Sequence, residues 1–256
     1  MQPFLVDTHA HLCSKVFDHD LQEVLDRAQQ AGIGAILIVG ETLADAQRNV
    51  ELASEYPCLK AAAGLYPEFA DTGEAARVID FIRSRPQRFC AIGEVGLDFW
   101  IAGEDADREV QREVFRQFIE LARELDLPLN VHSRSAGRHA IAMLLANKAV
   151  RVQLHAFDGR AAAALPAVEA GYFFSIPPSI VRSRQKQKLV KQLPLSCLLL
   201  ESDSPVLGPD PAQRNEPVNA LTALQAIVEI KDISRQEVEE AVRVNTWKLY
   251  GDLQLG

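Results

Sequence analysis

Short apolar runs alternate with longer amphipathic segments along this chain. Each run spans three to five residues and most are continuously apolar, which is typical of parallel strands buried on both faces. The eight strands predicted in this way cover residues 4–6, 35–39, 59–63, 90–92, 129–131, 152–154, 172–176 and 197–200.

The segments between these runs carry apolar residues at helical spacing. The apolar residues of 21–28 lie on one helix face, and Gly32 provides a C-terminal stop. A longer stripe covers 110–125 and ends before Pro128, because proline breaks a helix. A last helix starts at Ser234, where an S-x-x-E spacing fits a capping box. Further helices are predicted over residues 42–56, 74–83, 138–147, 160–170, 182–192 and 219–230.

Eight strands that alternate with helices favour an α/β fold, a single (β/α)8 TIM barrel that takes up residues 1–256 as one domain. Such barrels need about 250 residues, which agrees with the length of this chain. A doubly wound sheet is the alternative, but its G-x-G-x-x-G phosphate-binding turn is missing. The proline-rich stretch 204–217 is interpreted as a long loop after the eighth strand.

Charge and cysteine content restrict the partners and the compartment. The formal net charge of −8 argues against broad coating of nucleic acid or of an anionic membrane, although a local basic patch stays possible. The four cysteines have no paired spacing and are expected to be reduced thiols. Neither a basic leader nor a spanning apolar run is present, so a cytoplasmic protein is expected, with nuclear entry open and no membrane association. No obligate protein partner is indicated.

Ionisable residues follow several of the predicted strands, at the end of the barrel where such enzymes carry their chemistry. The first strand is followed by Asp7-Thr8-His9-Ala10-His11, which places the two imidazoles on the same side of an extended segment. The fourth strand is followed by Gly93-Glu94-Val95-Gly96-Leu97-Asp98. Further residues of this kind follow strands five, six and eight: His132, His155 and Asp203.

Four imidazoles and two carboxylates at one barrel mouth are costly to bury without compensation. A divalent metal provides that compensation, since imidazole and carboxylate are good ligands for zinc and similar ions. The ligands outnumber those that one metal with an open position needs. Two divalent ions are therefore expected, and the ligand types leave Zn²⁺, Mn²⁺ and Mg²⁺ all open.

These motifs, in this order, resemble the TatD family of metal-dependent deoxyribonucleases, and most of all its third TatD-domain-containing animal branch. The resemblance runs from Asp7 to Trp247 and covers nearly the whole chain. It is carried by Asp7–His11, by residues 93–98, by His132 and His155, by Glu201-Ser202-Asp203-Ser204-Pro205 and by Arg214-Asn215-Glu216-Pro217.

The resemblance implies a hydrolase that cleaves DNA phosphodiester bonds with water activated at two metals. It also implies how six ligands are shared: His9, His11 and Asp203 on the first metal, His132 and His155 on the second, and Glu94 bridging both. Asp203 would in addition accept the proton of the attacking water. Asp203 and Glu94 are thus the expected catalytic residues.

The chain departs from the family after the third strand, where Gly64-Leu65-Tyr66-Pro67 replaces the usual Gly-x-His-Pro. A tyrosine, with a reference pKa of about 10, is no proton carrier near neutral pH, but it can donate a hydrogen bond to a phosphate oxygen. Tyr66 is therefore one expected phosphate-binding residue. Arg134, which can make a bidentate contact, and Asn215 are the other two. The alternative for Tyr66 is a packed aromatic near the barrel mouth.

Contact with a DNA strand or its ends needs stacking surfaces and positive charge. Phe99 and Trp100 offer aromatic rings directly after the Glu94 motif, although burial under a loop is equally open. Arg182 and Arg184 begin a basic run that can follow a phosphate backbone or simply form a solvated helix face.

Two other functions stay open from the sequence alone. One is a metallohydrolase for a small amide, ester or phosphate, because related barrels use similar ligand sets. The other is a nucleic-acid-binding protein that has lost turnover, an alternative prompted by Tyr66.

Overall fold

The computed structural model describes residues 4–253, and its eight strands are parallel and lie in sequence order around one sheet. The predicted (β/α)8 barrel is confirmed. The strands are β1 (Leu5–Ala10), β2 (Ile33–Ile38), β3 (Leu59–Ala63), β4 (Ala91–Gly96), β5 (Leu129–His132), β6 (Val152–Leu154), β7 (Phe173–Ile176) and β8 (Leu198–Leu200).

A helix follows each of the eight strands, and a ninth helix comes after the one that follows β8. The helices are α1 (Leu21–Gln30), α2 (Leu43–Glu55), α3 (Thr72–Arg83), α4 (Asp105–Glu124), α5 (Gly137–Ala146), α6 (Ala161–Glu169), α7 (Arg184–Gln192), α8 (Ala220–Lys231) and α9 (Arg235–Tyr250). The predicted capping box of α9 is present, with Ser234 Oγ accepting from the Glu237 amide at 3.2 Å. Within residues 4–253 no helix is both long and apolar enough to cross a membrane.

The ring closes between β8 and β1 through backbone atoms just beyond the strands. The amide of Asp203 donates to the His9 carbonyl at 2.9 Å, and the amide of His11 donates to the Ser204 carbonyl at 2.7 Å. These bonds draw the segment after β8 against β1. The acidic and imidazole side chains of the two segments are thereby brought to one barrel mouth.

Three strands continue past the carboxyl ends that the apolar pattern predicts. β1 continues through Asp7 and His9, β4 through Glu94 and β5 through His132. All four side chains are buried. The prediction ended early because it followed hydrophobicity, whereas here polar side chains fill the upper barrel interior.

Glycines allow close approach of the backbone around this interior. A Cβ on Gly96 would lie 2.0 Å from the His132 carbonyl oxygen, and one on Gly64 would lie 2.4 Å from the Glu94 carbonyl oxygen. Gly96 also has φ of +146°, a conformation that other residues rarely adopt. Both glycines therefore keep the strands that carry Glu94 and His132 in their places.

Candidate metal centre

The six predicted metal ligands converge at the carboxyl end of the barrel. Each comes from a different strand or strand end, apart from the pair on the first strand, and five of the six residues are buried. They are His9 within β1 and His11 just after it, Glu94 in β4, His132 at the end of β5, His155 just after β6 and Asp203 after β8.

One carboxylate oxygen of Glu94 faces a first ligand group, which consists of His9, His11 and Asp203. Glu94 Oε2 lies 3.6 Å from His9 Nε2 and 3.4 Å from His11 Nε2. Asp203 Oδ1 lies 3.6 Å and 3.5 Å from the same two nitrogens. The two imidazole nitrogens are 3.2 Å apart. The sequence prediction that both rings point to one side of β1 is confirmed.

The other carboxylate oxygen of Glu94 faces a second ligand group, which consists of His132 and His155. Glu94 Oε1 lies 2.7 Å from His132 Nδ1 and 2.8 Å from His155 Nε2, and these nitrogens are 3.1 Å apart. Glu94 therefore stands between the two groups and offers one oxygen to each.

The donor atoms suit a divalent cation. In a tetrahedral zinc site with bonds of about 2.0–2.1 Å, neighbouring ligand atoms are about 3.3–3.4 Å apart. The first group has separations of 3.2–3.6 Å, and the second group is more contracted at 2.7–3.1 Å. Imidazole nitrogens and carboxylate oxygens that face one another in this way are a ligand set with the spacing of a metal site.

Outer residues orient two of the imidazoles through good hydrogen bonds. His9 Nδ1 lies 2.9 Å from Asn130 Oδ1, and His132 Nε2 lies 2.9 Å from Asp98 Oδ2. Each contact leaves the opposite ring nitrogen to face Glu94. Such outer contacts select the tautomer and raise the basicity of the ligating nitrogen.

The other two imidazoles have looser outer contacts. His11 Nδ1 lies 3.7 Å from Glu41 Oε1, and Glu41 is partly exposed. His155 Nδ1 lies 3.9 Å from Glu201 Oε2 and has no hydrogen-bond partner. Neither distance is that of a hydrogen bond.

Burial and close carboxylates shift the pKa values of the ligands in opposite directions. Burial disfavours the charged form of His9 and His132, but the neighbouring carboxylates outweigh it and raise their pKa values to about 10 and about 9. Burial and the charge of His9 lower the pKa of His155 to about 4. Burial opposes ionisation of Glu94, yet the surrounding imidazoles hold its pKa well below the usual range. Without metal, protons therefore occupy part of the ligand set.

A buried polar network forms the floor under the first ligand group. Its bonds join side chains of β5, β6, β7 and α9 to the residue that follows β8. Ser175 Oγ donates to Glu201 at 2.5 Å, Gln153 Nε2 donates to Ser175 Oγ at 2.8 Å, and Tyr250 donates to Gln153 at 2.6 Å. Asn130 Nδ2 in turn donates to the Tyr250 hydroxyl at 3.4 Å and to the Thr8 carbonyl at 2.9 Å, which fixes the position of Asn130 and hence that of His9.

An open cavity of about 450 Å³ lies above the ligands. Tyr66 and Arg134, two of the predicted phosphate-binding residues, line it. The Tyr66 hydroxyl donates to Asp98 Oδ2 at 3.2 Å, and its ring meets that of His132 edge-on at 4.9 Å. Burial, with the nearby carboxylates of Glu94 and Asp98, raises the Tyr66 pKa far above its usual value, so the hydroxyl keeps its proton.

The two predicted aromatic DNA contacts differ in exposure. Trp100 is 65% exposed, and the Arg134 guanidinium lies 3.8 Å above its ring. Phe99 is half-buried, and its ring is covered by Arg108 and Arg112 at 5.0 and 5.4 Å. Of these two rings, Trp100 is therefore the one that offers an aromatic surface to a ligand.

Asn215 is a correction to the predicted phosphate-binding set. It is 1% exposed, and its amide donates to the carbonyls of Ser202 at 2.6 Å and Val206 at 2.7 Å. It holds the loop after β8 and does not line the cavity. Its polar side chain suggested a ligand contact, but the amide instead satisfies backbone carbonyls in the loop after β8 that would otherwise lack a hydrogen-bond partner.

The two arginines of the predicted basic ridge lie outside the cavity. Arg182 is exposed and donates to the Gly208 carbonyl at 3.2 Å, and Arg184 is exposed at the start of α7. The predicted helix over 182–192 is split at Ser183, whose hydroxyl caps α7. Contact of these arginines with DNA stays a prediction.

Lys186, in the same basic run, is a cavity residue that was not among the predicted site residues. Lys186 is 8% exposed, lines the cavity and donates to the Ala156 carbonyl at 2.7 Å. Burial lowers its pKa. A signal was present, because Lys186 lies three and four residues before Leu189 and Val190, on the helix face that packs inward.

Comparisons with known proteins agree with this geometry. A family model described as TatD related DNase matches residues 6–251. Deoxyribonuclease TATDN3 of Homo sapiens is 45% identical and aligns with 98% of this chain and 96% of its own length. The metal-dependent hydrolase YabD of Bacillus subtilis (strain 168) is 32% identical, with 96% of this chain and 98% of that protein covered. The crystal structure of YjjV, a TatD homologue from Escherichia coli K12, superposes with a TM-score of 0.90 at 30% identity, over 98% of this chain and 100% of that one.

These similarities confirm the predicted resemblance to the TatD family. They also confirm the barrel of the metal-dependent hydrolase type and the prediction that the chain is a hydrolase of the deoxyribonuclease class. The match is nearly full-length in both directions, so it covers the barrel and all six candidate ligands. The chain belongs to the TatD-related DNase family of metal-dependent hydrolases.

Proposed function

We propose that this chain hydrolyses DNA phosphodiester bonds at a centre of two divalent metals. The observation that carries the proposal is the division of the ligands by Glu94, whose two oxygens face separate groups at 3.4–3.6 Å and 2.7–2.8 Å. A carboxylate in this position suits a bridge between two ions. The first group with Glu94 provides four ligands, and the second with Glu94 provides three. Residues 1–256 are proposed to form one domain around this site.

The chain's own residues have distinct tasks in this reaction. Divalent ions at such a centre lower the pKa of a bound water and neutralise charge on the phosphodiester. The Asp203 carboxylate accepts the proton of the attacking water, since it lies at the cavity and is ionised: burial opposes ionisation, but the adjacent imidazoles outweigh it and lower the pKa. Arg134 and Lys186 bind non-bridging phosphate oxygens, Arg134 as a planar fork and Lys186 as a point charge.

DNA is favoured over a small substrate by the family and by the shape of the site. The human relative is named a deoxyribonuclease. The cavity is open, and the exposed ring of Trp100 stands beside Arg134 at its edge, where an unpaired base can stack. A single strand or a strand end is therefore the proposed substrate. All four cysteines are free thiols, which supports a cytoplasmic or nuclear location.

The test combines metal analysis with cleavage of a single-stranded oligonucleotide labelled at its 3′ or 5′ end. We expect about two equivalents of metal per chain, cleavage that stops with chelator, and cleavage that returns with Zn²⁺, Mn²⁺ or Mg²⁺. Glu94→Ala should lose both ions and at least about a thousandfold in kcat/KM, because it removes a ligand from each group. Full activity of Glu94→Ala would refute the two-metal assignment. Hydrolysis of small esters without DNA cleavage would identify a small-molecule hydrolase, and salt-sensitive DNA binding without cleavage in any metal would identify a binding protein.

A further inference from the structure

The metal cavity adjoins a second and larger cleft on the barrel surface. This cleft has a volume of about 760 Å³ and lies between the starts of α5 and α6, and we name it the α5–α6 cleft. Asp158 lines both the cleft and the metal cavity. Its carboxylate accepts from the Ser135 amide at 2.9 Å, which fixes the border between them. The cleft and the metal cavity are thus neighbours on the same face of the barrel.

The cleft is basic although the chain as a whole is acidic. Two arginines, Arg138 and Arg160, line it and are exposed, whereas Asp158 is its single lining carboxylate. Among residues 4–253, no carboxylate oxygen lies within 4.0 Å of either guanidinium, whereas most other arginines of α-helices pair with an acidic neighbour, as Arg112 does with Glu109 at 2.8 Å. These two charges are thus available to a ligand.

Positive charge continues from the cleft towards the metal cavity. Arg134 lines the metal cavity, is adjacent in sequence to Ser135 of the cleft, and lies against the exposed Trp100 ring. His139 also lines the cleft. Burial and then the charges of nearby arginines lower its pKa, so His139 itself adds no positive charge and the charge of the cleft comes from its arginines.

We propose that the α5–α6 cleft binds the DNA strand next to the scissile phosphate, with Arg138 and Arg160 on successive backbone phosphates. The proposal rests on the proposed function and adds the direction in which the strand leaves the site. Exposed arginines without acidic partners are well placed to bind phosphates. Each contact releases counterions condensed on the DNA, and no ion pair within the protein has to be broken first. Because the cleft shares Asp158 with the metal cavity, whereas Arg182 and Arg184 line neither, the proposal places the main backbone contact in the cleft and not on that ridge.

The experiment compares two substrates in the metal-loaded enzyme: a 20-nucleotide single strand and bis(p-nitrophenyl) phosphate, which is too small to reach the cleft. The variant is R138Q/R160Q. Its matched control is R123Q/K248Q, which removes two exposed positive charges from the last turns of α4 and α9, at the barrel end opposite the carboxyl ends of the strands. A third arm, R182Q/R184Q, tests the rival ridge on the α7 side.

For R138Q/R160Q we expect kcat/KM on the oligonucleotide to fall about tenfold or more, with less than twofold loss on the small phosphodiester. The dependence of log kcat/KM on log salt should become shallower by about 1.4, since each lost phosphate contact contributes about 0.7 for a single strand. The control should keep wild-type values for both substrates.

Three results would overturn the proposal. One is an unchanged salt dependence in R138Q/R160Q, and another is a larger loss in R182Q/R184Q than in the cleft variant. The third is equal loss on both substrates with a lowered melting temperature or metal content, which would mean that the cleft residues act through the fold. If the wild type cleaves neither substrate, the proposed function fails instead. In that case, fluorescence anisotropy measures the affinity of each variant for the labelled oligonucleotide. Weaker binding by R138Q/R160Q than by R123Q/K248Q and R182Q/R184Q would still support the cleft as the DNA contact, and equal binding would refute it.

Discussion

The two ligand groups on either side of Glu94 differ in the charge of the residue that orients their firmly held imidazole. In the second group, His132 is held by the Asp98 carboxylate at 2.9 Å, and Asp98 is itself held by two backbone amides. In the first group, His9 is held at the same distance by the neutral amide of Asn130. Each group also has one imidazole with a looser outer contact, at 3.7 Å in the first group and 3.9 Å in the second. A charged outer partner raises the basicity of a ligand more than a neutral one, so we expect the second ion to be held more tightly per ligand.

The largest of these effects is expected at Asp203 in the first group, where a substitution can separate the role of metal ligand from that of proton acceptor. Asp203→Asn keeps an oxygen that can ligate but removes the proton acceptor, so kcat should fall about 10²–10⁴-fold. Metal content measured by mass spectrometry should stay near the wild-type value in excess metal. If raising the metal concentration restores kcat, Asp203 is only a ligand and the proposed proton transfer is wrong.

A matched pair of outer variants tests the comparison directly. Asp98→Asn should weaken binding of one metal equivalent about 10- to 100-fold, because the hydrogen bond to His132 loses its charge. Glu41→Gln changes the corresponding charge near the first group, and its effect should be less than about threefold, since 3.7 Å is beyond hydrogen-bond distance. Competition with a chromogenic chelator measures both. Equal effects of the two variants would contradict the difference between the groups.

Metal binding should release protons from both groups. At pH 7.5 the metal-free protein keeps protons on His9 and His132, whose pKa values are about 10 and about 9, and keeps His155 neutral, with a pKa of about 4. Metal displaces those protons, so affinity should rise with pH up to about 9, by about tenfold per unit for each proton released. Titration calorimetry in two buffers of different ionisation enthalpy counts the protons. A heat that is independent of the buffer would show that the imidazoles are already neutral.

A smaller effect than that of Asp98→Asn is expected at Tyr66, whose hydroxyl donates to the same Asp98 that holds His132. Tyr66→Phe removes that one hydrogen bond, worth about 0.5–1.5 kcal/mol, and should weaken the second ion by about two- to tenfold. The pH dependence of kcat should not move, because the hydroxyl carries no proton in the reaction. A shift of the pH profile in Tyr66→Phe would instead identify Tyr66 as a proton carrier.

Much of the fold followed from local pattern. Continuous apolar runs and helical stripes located eight strands and their helices, because burial on both faces of a strand and on one face of a helix leaves periodic marks in the sequence. The six candidate ligands were visible for a related reason. In a parallel barrel all strand ends meet at one mouth, so residues at equivalent strand positions are neighbours even when the chain separates them widely.

Other assignments depended on which side chains find partners across the barrel. Asn215 and Lys186 are both polar. The Asn215 amide donates to two loop carbonyls and does not reach the cavity, whereas Lys186 lines the cavity. Arg138 lies in a predicted helix, and Arg160 begins another. Neither carried a signal until α5 and α6 came together around a cleft.

The sequence by itself determined the barrel, the family and the set of atoms that can hold metal, since these depend on residue type and on position along each strand. The tertiary structure decided how Glu94 divides that set, which imidazoles are firmly oriented and where unpaired positive charge collects. Those properties depend on distances between residues from different strands and helices. Hydrogen bonding, ion pairing and burial change steeply over an ångström or two, and no local pattern in the chain records them.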